Sequence, residues 1–321
     1  GEGSQKAEGR GQEKPGGLRR PFIGQKSEKE FHVFRIIALV AVVGLLLVPV
    51  AVQAQDVTVT PDVVYGHKYG MALTFDVFTP ANANGAAVLN MVSGGWRSQW
   101  RPAEVSQRRY QPLLDVGLTV FAVRHGSSPK FVIPEIVPDV RRAVRYIRLN
   151  ARRLGVDANR LGVWGGSAGG HLSLILGNAS DNGDPSSEDP VLRVSNRVAA
   201  VVAYFPPVDL RPLARGASPD NGGNRRFPAL NFDVSEASAV SPIVHVSSDD
   251  PPTLLIHGDA DGLVPVSNSH DIYAAFQEHG VESKVIIIPG ADHGFRGKDA
   301  QLATAAMVDW FVEHLGRRSF N

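Results

Sequence analysis

The chain contains no cysteine. That excludes disulfides, thiolate nucleophiles and cysteine metal sites. It does not fix a compartment, because a domain of this size folds without covalent staples. An excess of either charge is also missing, since 33 Lys and Arg stand against 32 Asp and Glu. So balanced a chain has no strong field with which to hold nucleic acid. No internal repeat points to a solenoid or propeller. Long apolar runs are nearly absent, the exception being residues 36–52.

That run organises the N-terminus. Residues 1–30 are mostly Gly, Glu, Lys, Gln and Arg. They are too polar to bury a core and read as a disordered or non-native leader. Residues 31–54 join a basic flank at Arg35 to the apolar run and to small residues at Val52 and Ala54. This pattern predicts an export signal cleaved after Ala54, with a periplasmic or extracellular product. The alternative is an uncleaved membrane anchor. Pro49 and a length of about 17 residues, short for a span, weigh against it. Residues 55–321 are then one catalytic domain.

Within that domain, strand patterns fall at 57–59, 74–78, 87–92, 119–123, 161–164, 198–205, 253–256 and 284–288. Several are continuous apolar runs, as strands covered on both faces should be. Helices are expected near 104–114, 134–149, 267–279 and 300–314. In the second of these, Ile136, Val140, Val144 and Ile147 share one face. Arg141, Arg142, Arg145, Arg148, Arg152 and Arg153 read as its solvated side. Strands alternating with helices predict an α/β fold with a mostly parallel sheet flanked on both faces. Between 206 and 252 the pattern breaks into Pro, Gly, Asn and Ser. An insertion of this kind is either an active-site cover or a surface excursion.

Gly165-Gly166-Ser167-Ala168-Gly169 joins a strand to a helix, with serine at the tip of a sharp turn. A hydroxyl is a poor nucleophile unless it is exposed and paired with a base. Glycines two before and two after it remove the side chains that would collide. After the strand at 253–256 comes His257-Gly258-Asp259-Ala260-Asp261. Asp261 lies further into the loop and is the candidate acid, while Asp259 is placed to brace the turn. After the strand at 284–288 come Asp292 and His293. His293 is the candidate base, and Asp292 is placed to hold the loop. The strand at 87–92 ends in Ser93-Gly94-Gly95-Trp96. Backbone amides of Gly94, Gly95 and Trp96, with that of Ala168, are candidate oxyanion donors. An imidazole base predicts activity rising between about pH 5 and 8.

The order serine, aspartate, histidine at 167, 261 and 293 resembles the α/β-hydrolase superfamily. Ser93-Gly94-Gly95-Trp96, Gly165-Gly166-Ser167-Ala168-Gly169-Gly170-His171 and Asp259-Ala260-Asp261-Gly262-Leu263-Val264-Pro265 resemble its esterase/lipase branch. The chain resembles compact bacterial carboxylesterases of the feruloyl and acetyl-xylan esterase kind, without a large cap domain. Many relatives read His-Gly-Gly-Gly-Trp at the oxyanion stretch, where this chain has Val92 and Ser93. The resemblance implies hydrolysis of small-molecule or polysaccharide esters with no metal or organic cofactor. The balanced charge predicts no nucleic-acid partner, and removal of the signal predicts no stable membrane association. Two other readings share the fold: a prolyl-oligopeptidase-like serine peptidase and a non-catalytic binding protein. His171 reads as packing at the helix start. Trp96 and Trp100 read either as pocket lining or as core and rim.

Overall fold

Eight strands form one sheet in the order β1-β2-β4-β3-β5-β6-β7-β8. They are β1 (Val57–Lys68), β2 (Met71–Pro80), β3 (Ala87–Met91), β4 (Thr119–Val123), β5 (Leu161–Gly166), β6 (Ala200–Tyr204), β7 (Thr253–Gly258) and β8 (Ser283–Ile288). The computed structural model describes residues 56–217 and 223–316. The expected leader and export signal lie outside the described residues. No helix among the described residues is long and apolar enough to cross a membrane.

β1 and β2 pair antiparallel, as do β2 and β4, while β3 to β8 run parallel. Every residue of β3, β4 and β6 is buried. This agrees with their nearly continuous apolar runs, broken only by Asn90 in β3 and Thr119 in β4. β1 is much longer than the expected 57–59. It is an edge strand with alternating exposure and two register shifts near Pro61 and Tyr65. Half-exposed, bulged strands lack the apolar run that marks a central one.

Helices cover both faces. On one side, α2 (Ile133–Leu149), α3 (Ala168–Asn178) and α5 (Ser267–Glu278) bury Val140, Val144, Leu172, Ile175, Ile272 and Phe276. On the other, α1 (Ala103–Asp115) and α6 (Gly297–Leu315) bury Tyr110, Leu113, Met307 and Phe311. Among the described residues, the insertion contributes one short helix, α4 (Arg211–Gly216), and several single 3₁₀ turns. Ala229, Leu230, Ala237 and Val240 of the insertion join the core, so these parts are packed rather than a loose excursion.

The arginine face of α2 departs from the expected solvated surface. Arg141 donates to the Ala179 carbonyl, Arg145 to that of Val194, and Arg148 to those of Ser195 and Arg197. Arg142 donates to the Tyr65 carbonyl and pairs with Asp189, and Arg145 pairs with Asp181. The segment 179–197 has little regular structure of its own. These guanidinium groups supply donors that its carbonyls would otherwise lack.

Candidate active site

β5 delivers Ser167 to the carboxyl edge of the sheet, in a turn that ends as α3 begins. The serine holds φ +54° and ψ −120°, a conformation that is costly for a residue with a Cβ. Crowding explains the flanking glycines. A Cβ on Gly165 would fall on the Gly169 backbone, and one on Gly169 would come within 2.7 Å of the Met91 carbonyl.

Two further strand ends bring their loops to the same edge. β7 leads to Asp261 and β8 to His293. Gly258 permits their close approach, because a Cβ there would collide with the Ala291 carbonyl. Asp261 is buried. Its Oδ1 accepts from the Leu263 and Val264 amides at 2.8 and 2.9 Å, and its Oδ2 accepts from His293 Nδ1 at 2.7 Å. His293 Nε2 lies 2.9 Å from Ser167 Oγ. The Phe205 ring meets the His293 imidazole at a centroid distance of 4.6 Å. Hydroxyl, imidazole and carboxylate thus form one connected line, from residues up to 126 positions apart.

The neighbouring carboxylates serve the loops. Asp259 Oδ1 accepts from the Gly290 amide at 2.6 Å. Asp292 Oδ1 accepts from the His293 and Gly262 amides. Sequence reasoning missed the part played by His257. Its Nε2 donates to the Val264 carbonyl at 2.9 Å and lies 3.3 Å from Asp261 Oδ2, while its Nδ1 faces Ser269 Oγ at 2.8 Å. Burial pushes its pKa down, which keeps it a neutral donor beside the carboxylate. A histidine closing a β-strand four residues before the acid is the signal that was available.

The expected oxyanion residues divide. Gly94 is unavailable as a donor, because its N–H is bonded to the Arg97 carbonyl at 3.0 Å and completes the turn. Among the described residues, the amides of Gly95 and Trp96 have no hydrogen-bond partner. Both line a cavity of about 220 Å³ together with Ser167. Ala168 opens α3, so its N–H has no partner within the helix. Phe227, Leu230, Leu263 and Val264 give the cavity apolar walls. The first two come from the insertion, which therefore shapes the space beside the serine. Trp96 is buried and lines this cavity, while Trp100 is exposed.

Residues 75–276 match the sequence model of the family described as BD-FAE. The chain belongs to that family. Among curated relatives, it is 26% identical over 266 residues to a probable carboxylic ester hydrolase, LipM, of Mycobacterium tuberculosis. That alignment covers 78% of this chain and 60% of the relative. It is also 26% identical over 271 residues to an acetylxylan esterase of Xylanibacter ruminicola, covering 78% of this chain and 49% of that one. The chain thus spans about half to three-fifths of the length of these relatives. Two solved structures match over nearly their whole length. A truncated carbohydrate esterase from gut microbiota superposes with a TM-score of 0.66 at 26% identity, covering 83% of this chain and 99% of that one. An acetyl ester-xyloside bifunctional hydrolase from Caldicellulosiruptor lactoaceticus gives 0.67 at 26% identity, covering 78% and 95%. The architecture is the α/β-hydrolase fold.

Proposed function

We propose that this protein hydrolyses carboxylic esters of short acyl groups, carbohydrate-linked esters among them, through a Ser167–His293–Asp261 triad and an acyl-enzyme. The observation that carries this reading is the continuous pair of contacts, 2.7 and 2.9 Å, that links Asp261 to His293 and His293 to Ser167. Free amides and an apolar cavity beside the serine support it, as do the esterase names of the relatives.

In this mechanism Ser167 Oγ attacks the ester carbonyl carbon as its proton passes to His293 Nε2. The Asp261 carboxylate accepts from Nδ1–H and stabilises the imidazolium without taking the proton. The tetrahedral oxyanion lies against the amides of Gly95, Trp96 and Ala168. His293 then protonates the departing alcohol as the C–O bond breaks. A water molecule, deprotonated by the same imidazole, hydrolyses the acyl-serine and releases the acid.

The test is hydrolysis of p-nitrophenyl esters from acetate to decanoate, then of acetylated xylan, with Ser167→Ala as control. Turnover that depends on Ser167 is expected. Three results count against the proposal: no turnover of any ester, faster cleavage of a prolyl-p-nitroanilide, or failure to label with a fluorophosphonate probe. Export belongs to the same reading. N-terminal sequencing of protein recovered outside the cytoplasm should begin at Gln55.

A further inference from the structure

Beyond the cavity at Ser167, a second and larger cleft of about 600 Å³ lies on the other side of the oxyanion turn. Gly95 lines the small apolar cavity and Gly94, its neighbour, lines the large one. Gly166, adjacent to the nucleophile, and Phe205, whose ring packs on His293, also line the large cleft. An ester carbonyl held at this turn would therefore send one half into each space. The smaller cavity is lined mainly by apolar side chains, with Asn224 and a single arginine, Arg226, among them, and suits an acyl chain. Phe205 both borders this cleft and packs on the imidazole that must protonate the leaving oxygen, so the cleft suits the alcohol half.

The lining of this cleft is polar and strongly basic. Arg97, Arg101 and Arg109 all face it. None of the three has a carboxylate partner among the described residues. Among the described residues, Asp76 is the single carboxylate lining the cleft, and it is held by Arg124, which also binds Asp62. The three other guanidinium groups are thus uncompensated where they line the cleft. Arg109 stands over the Trp164 ring at 4.9 Å. The loop that carries Arg97 and Arg101 is tied down at several points. Gly94 and Arg97 exchange two backbone hydrogen bonds, Ser98 Oγ donates to the Val92 carbonyl at 2.7 Å, and Trp100 Nε1 donates to Asp62 Oδ1 at 3.1 Å. An ordered loop holds its charges at defined places, and a concave wall of one sign concentrates ligands of the other. Guanidinium groups pair most strongly with the planar oxygens of carboxylates.

We infer that the large cleft is an anion subsite and that the preferred substrates are esters whose alcohol half bears a carboxylate, such as acetylated uronic acids. This inference rests on the ester-hydrolase reading given above. Charge on the alcohol raises kcat/KM through Arg97, Arg101 and Arg109, and salt weakens the effect.

The experiment compares four substrates: p-nitrophenyl acetate, an O-acetylated methyl galactoside, the matching O-acetylated methyl galacturonide, and a p-nitrophenyl hemisuccinate with its carboxylate in the acyl half. At an ionic strength of about 0.01 M, the acetylated uronide should exceed the neutral sugar by about tenfold in kcat/KM. Near 1 M the gap should close, as the screening length falls to about 3 Å. Arg101→Gln with Arg109→Gln should bring kcat/KM on the acetylated uronide to within about twofold of that on the neutral sugar. Equal rates on both sugars overturn the inference. So does a preference that neither salt nor the arginine changes affect, and so does a preference for the hemisuccinate. If even p-nitrophenyl acetate is untouched, the ester-hydrolase reading fails first and this one with it.

Discussion

Trp96 and His171 are joined by a buried hydrogen bond. The indole Nε1–H donates to His171 Nδ1 at 3.2 Å, and His171 Nε2–H donates onward to the Val240 carbonyl at 2.7 Å. A donor at Nδ1 and an acceptor at Nε2 fix the imidazole as the neutral Nε2–H tautomer. Trp96 also holds φ +57°, an unfavourable value for a bulky side chain, and its amide is one of the free donors beside Ser167. The bond therefore couples three parts of the chain: the turn of Gly94 to Arg97, the first turn of α3 and the insertion.

Removing that acceptor should loosen the oxyanion turn. His171→Phe is expected to lower kcat on p-nitrophenyl acetate by about tenfold or more, with KM little changed, as for partial loss of an oxyanion donor. His171→Asn retains an acceptor near the Nδ1 position and should recover part of the loss. Steady-state kinetics of both variants check this, and full kcat in the Phe variant would contradict it.

The same histidine makes stability depend on pH. Burial lowers the His171 pKa to about 4, opposed only in part by its bond to the Val240 carbonyl. Unfolded histidine titrates near 6.5, so between these values the unfolded chain binds the extra proton. The stabilising effect of a neutral His171 is complete above pH 6.5 and is lost as pH falls towards 4, by an amount on the order of 3 kcal/mol. His125 is lowered to about 4 by burial and acts in the same direction, while Asp250, raised to about 6, acts oppositely. Denaturant melts of wild type and His171→Asn at several pH values should show a smaller loss on acidification in the variant. Parallel curves would speak against a buried neutral imidazole.

Three aspartates lie near the site, and only one should matter greatly for rate. Asp261→Asn is expected to reduce kcat by about 10³–10⁴, because it disturbs the tautomer and the charge stabilisation of His293. Asp259→Asn should cost far less than Asp261→Asn, since Asp259 meets a loop amide rather than the imidazole. Ser167→Ala should cost at least about 10⁴. Equal losses at Asp259 and Asp261 would undo the assignment of the acid.

Acyl preference should follow the walls supplied by the insertion. Wild-type kcat/KM is expected to fall from butanoate to decanoate, because the cavity at Ser167 holds about 220 Å³. Leu230→Phe should narrow that space, sparing acetate and depressing butanoate more strongly. A variant profile that matches wild type at every chain length would show that the acyl group lies elsewhere.

The sequence by itself determined the succession of buried strands, the mostly parallel sheet and the loops that end in Ser167, Asp261 and His293. Each is a local pattern: an apolar run for a strand covered on both faces, then small or polar residues where the chain must turn. Folding decided what no spacing records. The bulged edge strand β1 has too little apolar content to announce its length. The arginines of α2 look solvated until the carbonyls of 179–197 come to meet them. The loss of Gly94 as a donor, the bond between Trp96 and His171, and the His257 contact with Asp261 all depend on where packing leaves a hydrogen unpaired or an acceptor in reach. Hydrogen bonds require heavy atoms within about 3 Å at the right angle. Only the three-dimensional arrangement of the sheet and its loops sets distances on that scale between residues far apart in the chain.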